Sequence, residues 1–256
     1  MVPSQHRFIH LAETGSTNAD AMRFALAGEA LPLWVSAERQ TAGRGRSGRT
    51  WDAPPGNLQA SLAFSSLAPL HHAGELSLVA GIALIDTVAA FQRQDNDVRI
   101  RLKWPNDLLI GPAKAGGILV ETTTARGAPG FVAVIGFGLN IVTAPETIGR
   151  AATSLAAEDI AGDAESVLNR LADQCAEWLA RWDDGRGFEA IRHAWMARAG
   201  VLGEAITVNT TAGAVAGTYQ GLAESGALLA EIDGRVHTIT YGDVALSAPT
   251  DKGMAQ

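Results

Sequence analysis

Between Arg39 and Trp51 the chain reads R-Q-T-A-G-R-G-R-S-G-R-T-W, with four arginines and three glycines in thirteen residues. Glycines let a backbone approach a ligand closely and present its N–H groups. The guanidinium groups of Arg44, Arg46 and Arg49 are planar forks that suit the oxygens of phosphates and carboxylates. This segment, called the arginine loop below (residues 39–51), is therefore predicted to be an anion site.

Two lysines are the next candidates for chemistry. Arginine outnumbers lysine by seventeen to three in this chain, so a lysine inside a structured segment is compositionally unusual. Lys103 and Lys114 flank one short motif, whereas Lys252 lies in a polar tail. A compact ammonium can approach an anion as a point charge, which a guanidinium cannot do. Lys103 and Lys114 are therefore predicted to belong to the site.

Other phosphate-binding and metal-binding patterns do not account for this chain. Gly43, Gly45 and Gly48 satisfy G-x-G-x-x-G, but a dinucleotide fold needs the third glycine to open a helix, and Pro54-Pro55 follows instead. The sequence contains no G-x-x-x-x-G-K-[ST] and no kinase motif. One cysteine excludes a multi-cysteine zinc site, and the six histidines are interpreted as surface or core residues.

Composition limits the class of protein. The chain has 256 residues, of which 47% are hydrophobic and 18% charged, which predicts one large soluble domain with a small appendage. A net charge of −7 argues against a protein that coats nucleic acid or an anionic membrane. Polar residues interrupt the most apolar stretch, residues 76–91, so neither a signal peptide nor a membrane span is predicted. These features favour a cytoplasmic protein.

Strands and helices must hold the arginine loop and the two lysines in place. Helices are predicted at residues 14–27, 75–93, 164–182 and 188–199. Strands are predicted at residues 8–11, 33–37, 58–64, 98–104, 108–110, 117–122 and 131–136. This order indicates an α/β or α+β fold, with a mixed β-sheet backed by helices.

The single cysteine falls on an apolar helical stripe. Leu168, Leu171, Cys175, Trp178 and Trp182 are spaced at i, i+3, i+7, i+10 and i+14. No histidine lies nearby in sequence, and the other stripe residues are large and apolar. Cys175 is therefore predicted to be a core residue and not a nucleophile.

The last fifty residues have a different composition. Four short strands are predicted at residues 205–208, 215–219, 227–232 and 236–241, with a hairpin turn at Asp233-Gly234. Close strand spacing without a long helix is typical of a small β-barrel. We therefore expect two domains, residues 1–200 and 201–250.

Five motifs together resemble the biotin protein ligase family. They occur in the family's order within about residues 8–142 and comprise Ser16-Thr17-Asn18, the arginine loop, Lys103-Trp104-Pro105-Asn106-Asp107, Lys114-Ala-Gly-Gly-Ile-Leu-Val-Glu121 and Gly136-Phe-Gly-Leu-Asn140. The C-terminal β unit resembles the family's SH3-like domain. The resemblance implies a biotin/lipoate ligase-like catalytic domain, and a two-step acyl transfer in which biotin and ATP form biotinyl-AMP and pyrophosphate before a protein lysine takes the acyl group.

The resemblance also implies roles for individual residues at the biotin site. Ser16, Thr17, Asn18 and Gln40 would pair the ureido ring, because an unpaired buried polar group costs roughly 1 to 3 kcal/mol. The other biotin contacts that it implies are Arg44, Gly45, Arg46, Lys114 and Gly116. Lys114 and Arg46 are the predicted catalytic residues, since fixed cations would stabilise charge that develops between carboxylate and α-phosphate.

At the nucleotide end the resemblance implies ATP and magnesium. The predicted ATP contacts are Arg46, Arg49, Trp51, Lys103 and Asn140. Asp107 is the predicted ligand or organiser of Mg²⁺, which usually takes one or two carboxylates with phosphate oxygens. Glu121 is predicted to hold the sheet edge or the nucleotide.

The expected partners are biotin, ATP and the biotin carboxyl carrier domain of a carboxylase. Many family members add an N-terminal helix-turn-helix, but Ser16 already begins the first motif here, so no DNA binding is expected. Family members often pair through sheet edges, which makes a homodimer compatible with the resemblance. Two alternatives stay open, a lipoate or octanoate ligase of the same fold and a non-catalytic biotin-binding regulator.

Overall fold

A seven-stranded mixed sheet forms the centre of the larger unit. The computed structural model describes residues 6–124, 129–146, 151–210 and 213–246. The strands of this sheet are β1 (Phe8–Thr14), β2 (Leu33–Gln40), β3 (Leu58–Ser66), β4 (Ile100–Lys103), β5 (Asp107–Ile110), β6 (Ala113–Thr123) and β7 (Phe131–Leu139). Their order is β1-β2-β3-β7-β6-β5-β4. β1 and β2 are parallel and all other neighbours are antiparallel, which confirms the predicted mixed sheet.

Helices cover both faces of this sheet. They are α1 (Thr17–Leu26), α2 (Leu76–Ala89), α3 (Ala164–Trp182) and α4 (Phe188–Met196). On β2, Leu33 and Val35 pack in a small cluster with Ala21 of α1, whereas Trp34 between them belongs to the main core, where α2, α3 and α4 pack. Alternate residues of a strand point to opposite faces, so this buried strand is apolar on both sides.

α2 is apolar nearly all round because it lies inside the main core. The stretch Leu70–Ala89 is long and apolar enough to cross a membrane by length and composition, but most of it is buried within the fold. The one charged residue of α2, Asp86, accepts hydrogen bonds from Arg198 Nε at 2.7 Å and Trp178 Nε1 at 3.0 Å. The half-buried carboxylate is therefore paired and ties α2 to α3 and to the segment after α4.

α3 confirms the interpretation of the apolar stripe. Asp163 caps the helix by accepting a hydrogen bond from the Ser166 backbone N–H at 2.9 Å. The stripe residues, Cys175 included, are buried against the main core. Burial raises the pKa of the Cys175 thiol well above its usual range. The reactive thiolate is therefore suppressed.

Alkylation of Cys175 is expected to require opening of the fold. Native protein treated with iodoacetamide should be modified at least about 1,000-fold more slowly than urea-unfolded protein, since opening of a buried core costs several kcal/mol. Mass spectrometry of the intact chain measures this ratio. Rapid labelling of folded protein would contradict the assignment of Cys175 to the core.

The C-terminal unit is an open antiparallel sheet. Its strands are β8 (Ala205–Thr210), β9 (Gly213–Leu222), β10 (Leu228–Ile232), β11 (Arg235–Ile239) and β12 (Asp243–Leu246), in the order β11-β10-β9-β8-β12. Asp233 and Gly234 have φ of 51° and 73°, which confirms the predicted turn between β10 and β11. Within the described residues β11 and β12 do not pair, so the predicted small β-barrel is open between these two strands. The sequence also missed β12, which is only four residues long.

Polar contacts join the two units. Arg101 Nη1 of β4 donates to both carboxylate oxygens of Glu204, at 2.7 and 2.9 Å, and Trp104 Nε1 donates to the Gly226 carbonyl at 3.2 Å. The predicted division near residue 200 falls between α4 and β8. The domain boundary itself stays a prediction.

Candidate active site

A cavity of about 760 Å³ lies where the start of α1, the arginine loop and strands β5, β6 and β7 meet. Residues 241–243 of the C-terminal unit also line it. This volume is in the range of small-molecule sites. Its charged lining residues are Arg44, Arg46, Arg49, Asp52, Asp107, Lys114, Glu146 and Asp243. The cations are thus accompanied by carboxylates, and the pairing between them decides which charges face a ligand.

One end of the cavity is a polar pocket at the start of α1. Thr17 donates to Gln40 Oε1 from its backbone N–H at 2.7 Å and from its hydroxyl at 3.1 Å. Ser16 is the buried N-cap residue of α1 but makes no side-chain capping bond. The Ser16 hydroxyl is therefore not used to cap α1, and the bonds from Thr17 engage the oxygen of the Gln40 amide and not its nitrogen. This hydroxyl and this nitrogen can pair a polar ligand.

Asn18 completes the polar pocket with β3 and β6. Its Nδ2 donates to the Leu119 carbonyl at 3.3 Å and to Glu121 Oε2 at 2.8 Å, while its Oδ1 accepts from Ser61 Oγ at 2.6 Å. Both amide protons are thus used within the protein. These hydrogen bonds join α1, β3 and β6 in one buried polar network.

Ser61 supports the polar pocket from within the core, and the motif analysis missed it. It is fully buried on β3, and its hydroxyl lies 2.8 Å from Thr17 Oγ1. A signal was present in the sequence, because Gln59 and Ser61 interrupt the predicted strand 58–64, which is otherwise apolar. Polar side chains inside a buried strand usually need a partner. Here the partners are at the start of α1.

The arginine loop has its own backbone hydrogen bonds. Gly45 N donates to the Arg49 carbonyl at 2.7 Å, and Trp51 N donates to the Gly43 carbonyl at 2.9 Å. Arg44 and Thr50 form an isolated bridge between the two sides. The loop is therefore a closed turn at the mouth of the cavity, and its guanidinium groups extend from a defined backbone.

Each predicted arginine has a different partner. Arg44 Nη2 lies 3.1 Å from the Glu121 carboxylate, and Arg49 Nη1 lies 3.0 Å from Asp243 Oδ2. Arg46 donates weakly to Asn106 Oδ1 at 3.4 Å and to the Gly242 carbonyl at 3.3 Å. Among these three side chains, Arg46 forms no recorded ion pair with a described carboxylate. Its charge is therefore the least compensated in the loop.

Asp107 lies between the two predicted lysines. Lys103 Nζ is 2.9 Å from Asp107 Oδ2, and Lys114 Nζ donates to Asp107 Oδ1. Burial would raise the pKa of Asp107, but the charges of Lys114 and Lys103 outweigh it and hold this pKa below its ordinary value. Asp107 is therefore a buried anion that positions both ammonium groups.

Asp107 should make the stability of the protein depend on pH. Its lowered pKa means that the ionised form stabilises the fold fully above the ordinary value of 3.8 and that this contribution is lost as pH falls through the lowered value. Asp107→Asn should cost about 1.5 to 3 kcal/mol of unfolding free energy near pH 7. Urea unfolding of both proteins should give a constant difference above about pH 5 that shrinks below about pH 4. A difference unchanged down to about pH 3 would contradict this role.

Lys103 does not line the cavity, although it was predicted to contact ATP. Its side chain is 11% exposed, and its Nζ donates to the Val244 carbonyl at 2.7 Å and lies 3.7 Å from Asp243 Oδ1. Since Lys103 is already surrounded by oxygens, it joins Asp107 to the C-terminal unit. The motif placed it near the site, but the packing of β12 directs its charge into the unit interface.

Gly116 also takes a different place from the one predicted. A side chain at Gly116 would point at Leu84 and Leu139 in the core, and Gly117 lines the cavity instead. The register between β5 and β6 shifts between Leu108 and Leu109, which brings Lys114 and Gly117 to the same side of β6. A bulge of this kind reverses the alternation of side chains. Gly116, which was predicted to contact biotin, therefore does not line the cavity, whereas Gly117 does.

Two buried polar atoms at the cavity have no hydrogen-bond partner in the described part of the chain. They are Trp51 Nε1, a donor, and Asn140 Oδ1, an acceptor. Asn140 Nδ2 donates to the Thr153 carbonyl at 3.0 Å, which leaves its oxygen for a ligand. Lys114 Nζ lies 5.5 Å from the centroid of the Trp51 ring. An unsatisfied buried group costs about 1 to 3 kcal/mol, so a ligand that pairs both atoms gains affinity.

Metal ligands are not clustered in the part of the chain that the structure describes. Those residues contain no group of three or more His, Cys, Asp or Glu side chains able to hold a metal ion. Both oxygens of Asp107 already contact ammonium groups. The predicted Asp107 site therefore does not fit a Mg²⁺ ion held by the protein alone, since it offers no uncompensated oxygen.

Comparison with known proteins agrees with this geometry. Residues 15–140, which contain the polar pocket, the arginine loop and Lys114, match the biotin/lipoate A/B protein ligase family. Residues 201–247 match the biotin protein ligase C-terminal domain. The fold and the site therefore define a protein of the biotin/lipoate ligase class.

Relatives narrow this class. The chain is 38% identical over 228 residues to the biotin--[acetyl-CoA-carboxylase] ligase of Paracoccus denitrificans, covering 86% of this chain and 92% of the relative. It is 34% identical to that of Mycobacterium tuberculosis, covering 91% and 86%. The structure of biotin protein ligase from Aquifex aeolicus in complex with biotin and ATP aligns with a TM-score of 0.76 and 25% identity, over 94% of this chain and 98% of that one. The chain belongs to the biotin protein ligase family.

Proposed function

We propose that this chain is an ATP-dependent biotin protein ligase. In the first step a biotin carboxylate oxygen attacks the α-phosphorus of ATP, the bond to the β-phosphate breaks, and pyrophosphate leaves. In the second step the neutral amine of an acceptor lysine attacks the carbonyl carbon of biotinyl-AMP. The bond from that carbon to the bridging oxygen breaks, AMP leaves with this oxygen, and the nitrogen loses one proton to solvent. The acceptor is the lysine of a biotin carboxyl carrier domain in a biotin-dependent carboxylase.

One observation carries this proposal, namely that a single cavity joins a polar pocket to a cationic end. Thr17, Asn18 and Gln40 supply hydrogen-bonding groups for a ureido ring, which has two N–H donors and one carbonyl acceptor. A dithiolane ring or an alkyl chain offers no N–H and no carbonyl to the hydrogen-bonding capacity that these groups have left, so it would desolvate them without a new bond. The pocket therefore favours biotin over lipoate and octanoate.

The cationic end suits the reacting anions. Lys114 faces the cavity with its ammonium held by Asp107, so it can lie beside both the biotin carboxylate and the α-phosphate. Arg46, whose charge is the least compensated of the loop, would neutralise phosphate oxygens. The rate gain would come from these fixed charges because they need not reorganise as the anionic groups approach.

The nucleotide base would occupy the region of Trp51 and Asn140. Their two unpartnered atoms offer one donor and one acceptor, and the edge of adenine carries groups of both kinds. The Trp51 ring adds a flat apolar surface for stacking. Arg49 is a proposed phosphate contact that would have to leave Asp243 or share its charge with it.

Magnesium is proposed to enter with ATP. Mg²⁺ keeps much of its coordination from phosphate oxygens and water in nucleotide sites, with one or two carboxylates at most. The two cavity carboxylates Asp52 and Glu146 form no recorded ion pair with described residues and are available to it. Its role would be to reduce the charge on the triphosphate.

Three further points follow from the proposed activity. The reaction needs ATP and a carboxylase acceptor, which favours the cytoplasm. β1 is an outer strand of the large sheet and has exposed positions, which is compatible with a homodimer formed through that edge. The net charge of −7 for the whole chain supports the expectation that the protein does not bind DNA.

Pyrophosphate release tests the proposed function. Purified protein with Mg²⁺ and ATP is given biotin, lipoate or octanoate separately, and the acyl-adenylate is identified by mass. Turnover with biotin alone, followed by a mass increase of an added carrier domain, is the expected result. Turnover with lipoate or octanoate would move the protein to the sister activity. Biotin binding without pyrophosphate release would identify a regulator.

A further inference from the structure

Glu121 lies behind the polar pocket and contacts two of its residues. Its carboxylate accepts a hydrogen bond from Asn18 Nδ2 at 2.8 Å and lies 3.1 Å from Arg44 Nη2. Glu121 itself does not line the cavity, whereas Asn18 and Arg44 do. The residue was predicted to hold the sheet edge or the nucleotide. Its position in β6, the fifth strand of seven across the sheet, is instead beside the pocket for the ureido ring.

The carboxylate of Glu121 determines which way the Asn18 amide is turned. With Nδ2 directed to Glu121 and to the Leu119 carbonyl, Oδ1 is directed to Ser61 and to the cavity-lining Gly136. The opposite orientation would place Oδ1 against a carboxylate and a carbonyl, where two acceptors repel each other. That orientation would also direct Asn18 Nδ2, a donor, at the Ser61 hydroxyl, which now donates to Asn18 Oδ1. One orientation is therefore strongly favoured.

This orientation gives the pocket a specific polarity. Because both amide protons are used inside the protein, Asn18 offers the cavity an acceptor and no donor. Ser61 uses one lone pair of Oδ1, and the other can accept an N–H from a ligand. A cyclic urea can supply that N–H, whereas a dithiolane or an alkyl chain cannot.

We propose that Glu121 is a specificity-determining positioning residue that fixes Asn18 as an acceptor for a ring N–H. The same carboxylate holds Arg44, so the recognition pocket and the arginine loop share one anion. The inference rests on the proposed function in that it assigns biotin as the ligand. It concerns binding alone, however, and can be tested even if no turnover occurs.

The test reverses the polarity of the Asn18–Glu121 hydrogen bond. Glu121→Gln keeps the size of the side chain but removes the charge that orients Asn18. Asn18→Asp keeps the acceptor but places two carboxylates at the distance of a hydrogen bond. In the double variant Asn18→Asp/Glu121→Gln, the glutamine amide donates to the aspartate, and the second aspartate oxygen still faces the cavity.

Calorimetry with biotin in the absence of ATP measures the effect. We expect Glu121→Gln to weaken biotin binding about 5-fold and Asn18→Asp to weaken it about 50-fold, with the double variant binding more tightly than Asn18→Asp. A substitution that harms the natural protein would thus rescue a variant. Glu121→Gln should leave the KM for ATP within about 2-fold, since its contacts are at the biotin end.

Two results would overturn the inference. One is an affinity for biotin in Glu121→Gln that equals that of the natural protein. The other is a double variant that binds biotin no more tightly than Asn18→Asp. The second would mean that Glu121 acts by holding Arg44 or by supporting the sheet. Equal thermal unfolding midpoints of the four proteins exclude a general loss of fold. Failure of pyrophosphate release in the natural protein would contradict the proposed activity. The comparison of biotin affinities among the four proteins would still test the role of Glu121.

Discussion

Lys114→Met is expected to slow the formation of biotinyl-AMP about 30- to 1,000-fold, which corresponds to about 2 to 4 kcal/mol of barrier. Lys114 lies on the cavity side of Asp107, and among the described residues its ammonium is the one lysine charge that lines the cavity. Methionine keeps the length of the stem and removes the charge. The substitution should lower kcat more than it raises KM, because the charge that Lys114 stabilises develops between carboxylate and phosphate in the transition state.

Pyrophosphate release from biotin and ATP, without a protein acceptor, measures this effect directly. Arg170→Met is the matched control, because Arg170 is an exposed cation on α3 in the same protein and should leave the rate unchanged. Urea unfolding of Lys114→Met separates catalysis from stability, since the substitution also removes one partner of Asp107. An unchanged adenylation rate in Lys114→Met would refute the assignment.

Gly136→Ala and Gly138→Ala are expected to damage different substrate sites although they are two residues apart on β7. A Cβ at position 136 would lie 2.1 Å from Asn18 Oδ1, and one at position 138 would lie 2.3 Å from Trp51 Cε2. Neither distance is sterically possible, so the neighbouring side chain must move. Gly136→Ala should therefore disturb biotin binding, and Gly138→Ala should disturb the site proposed for the nucleotide base.

The expected size of the first effect is about 2 to 4 kcal/mol, or roughly 30- to 1,000-fold in the KM for biotin. Displacement of Asn18 disrupts its bond to the ligand and its bond to Ser61, at about 1 to 2 kcal/mol each. Gly138→Ala should raise the KM for ATP by about 10-fold through displacement of Trp51. Initial rates with each substrate varied in turn measure both constants.

Each glycine variant is the control for the other. Both add one methyl group to the same strand, so a general loss of packing would affect the two proteins alike. The prediction fails if Gly136→Ala changes the KM for ATP more than that for biotin, or if Gly138→Ala does the reverse. Such a result would mean that the polar pocket and the Trp51 region are not the separate ends of the cavity.

Much of the fold could be predicted because local patterns and tertiary structure agree. The apolar stripe of α3 has the period of a helix, and burial of Cys175 follows directly from it. The turn at Asp233-Gly234 depends on residues that tolerate positive φ, and both adopt it. β12 was missed because its four residues carry too little pattern to separate them from a loop.

Only some of the site residues were placed correctly from the sequence. Thr17 and Gln40 were assigned together and lie together, since a hydrogen bond joins their side chains. Lys103 was placed with ATP but has its charge shared between Asp107 and the C-terminal unit. Gly116 was placed at the biotin site, but the shift in the β5–β6 register turns it into the core.

The sequence by itself determined the fold class, the order of the motifs and the kinds of charge brought to the site, because these depend on residue type and short spacing. Tertiary structure alone decided which charges face the cavity. Asp243 lies 194 positions from Arg49 in the chain, yet their side chains form an ion pair at 3.0 Å. Asn18 and Glu121 are likewise joined from different elements. Such pairings result from packing, and a motif confined to one stretch of the chain contains no information about them.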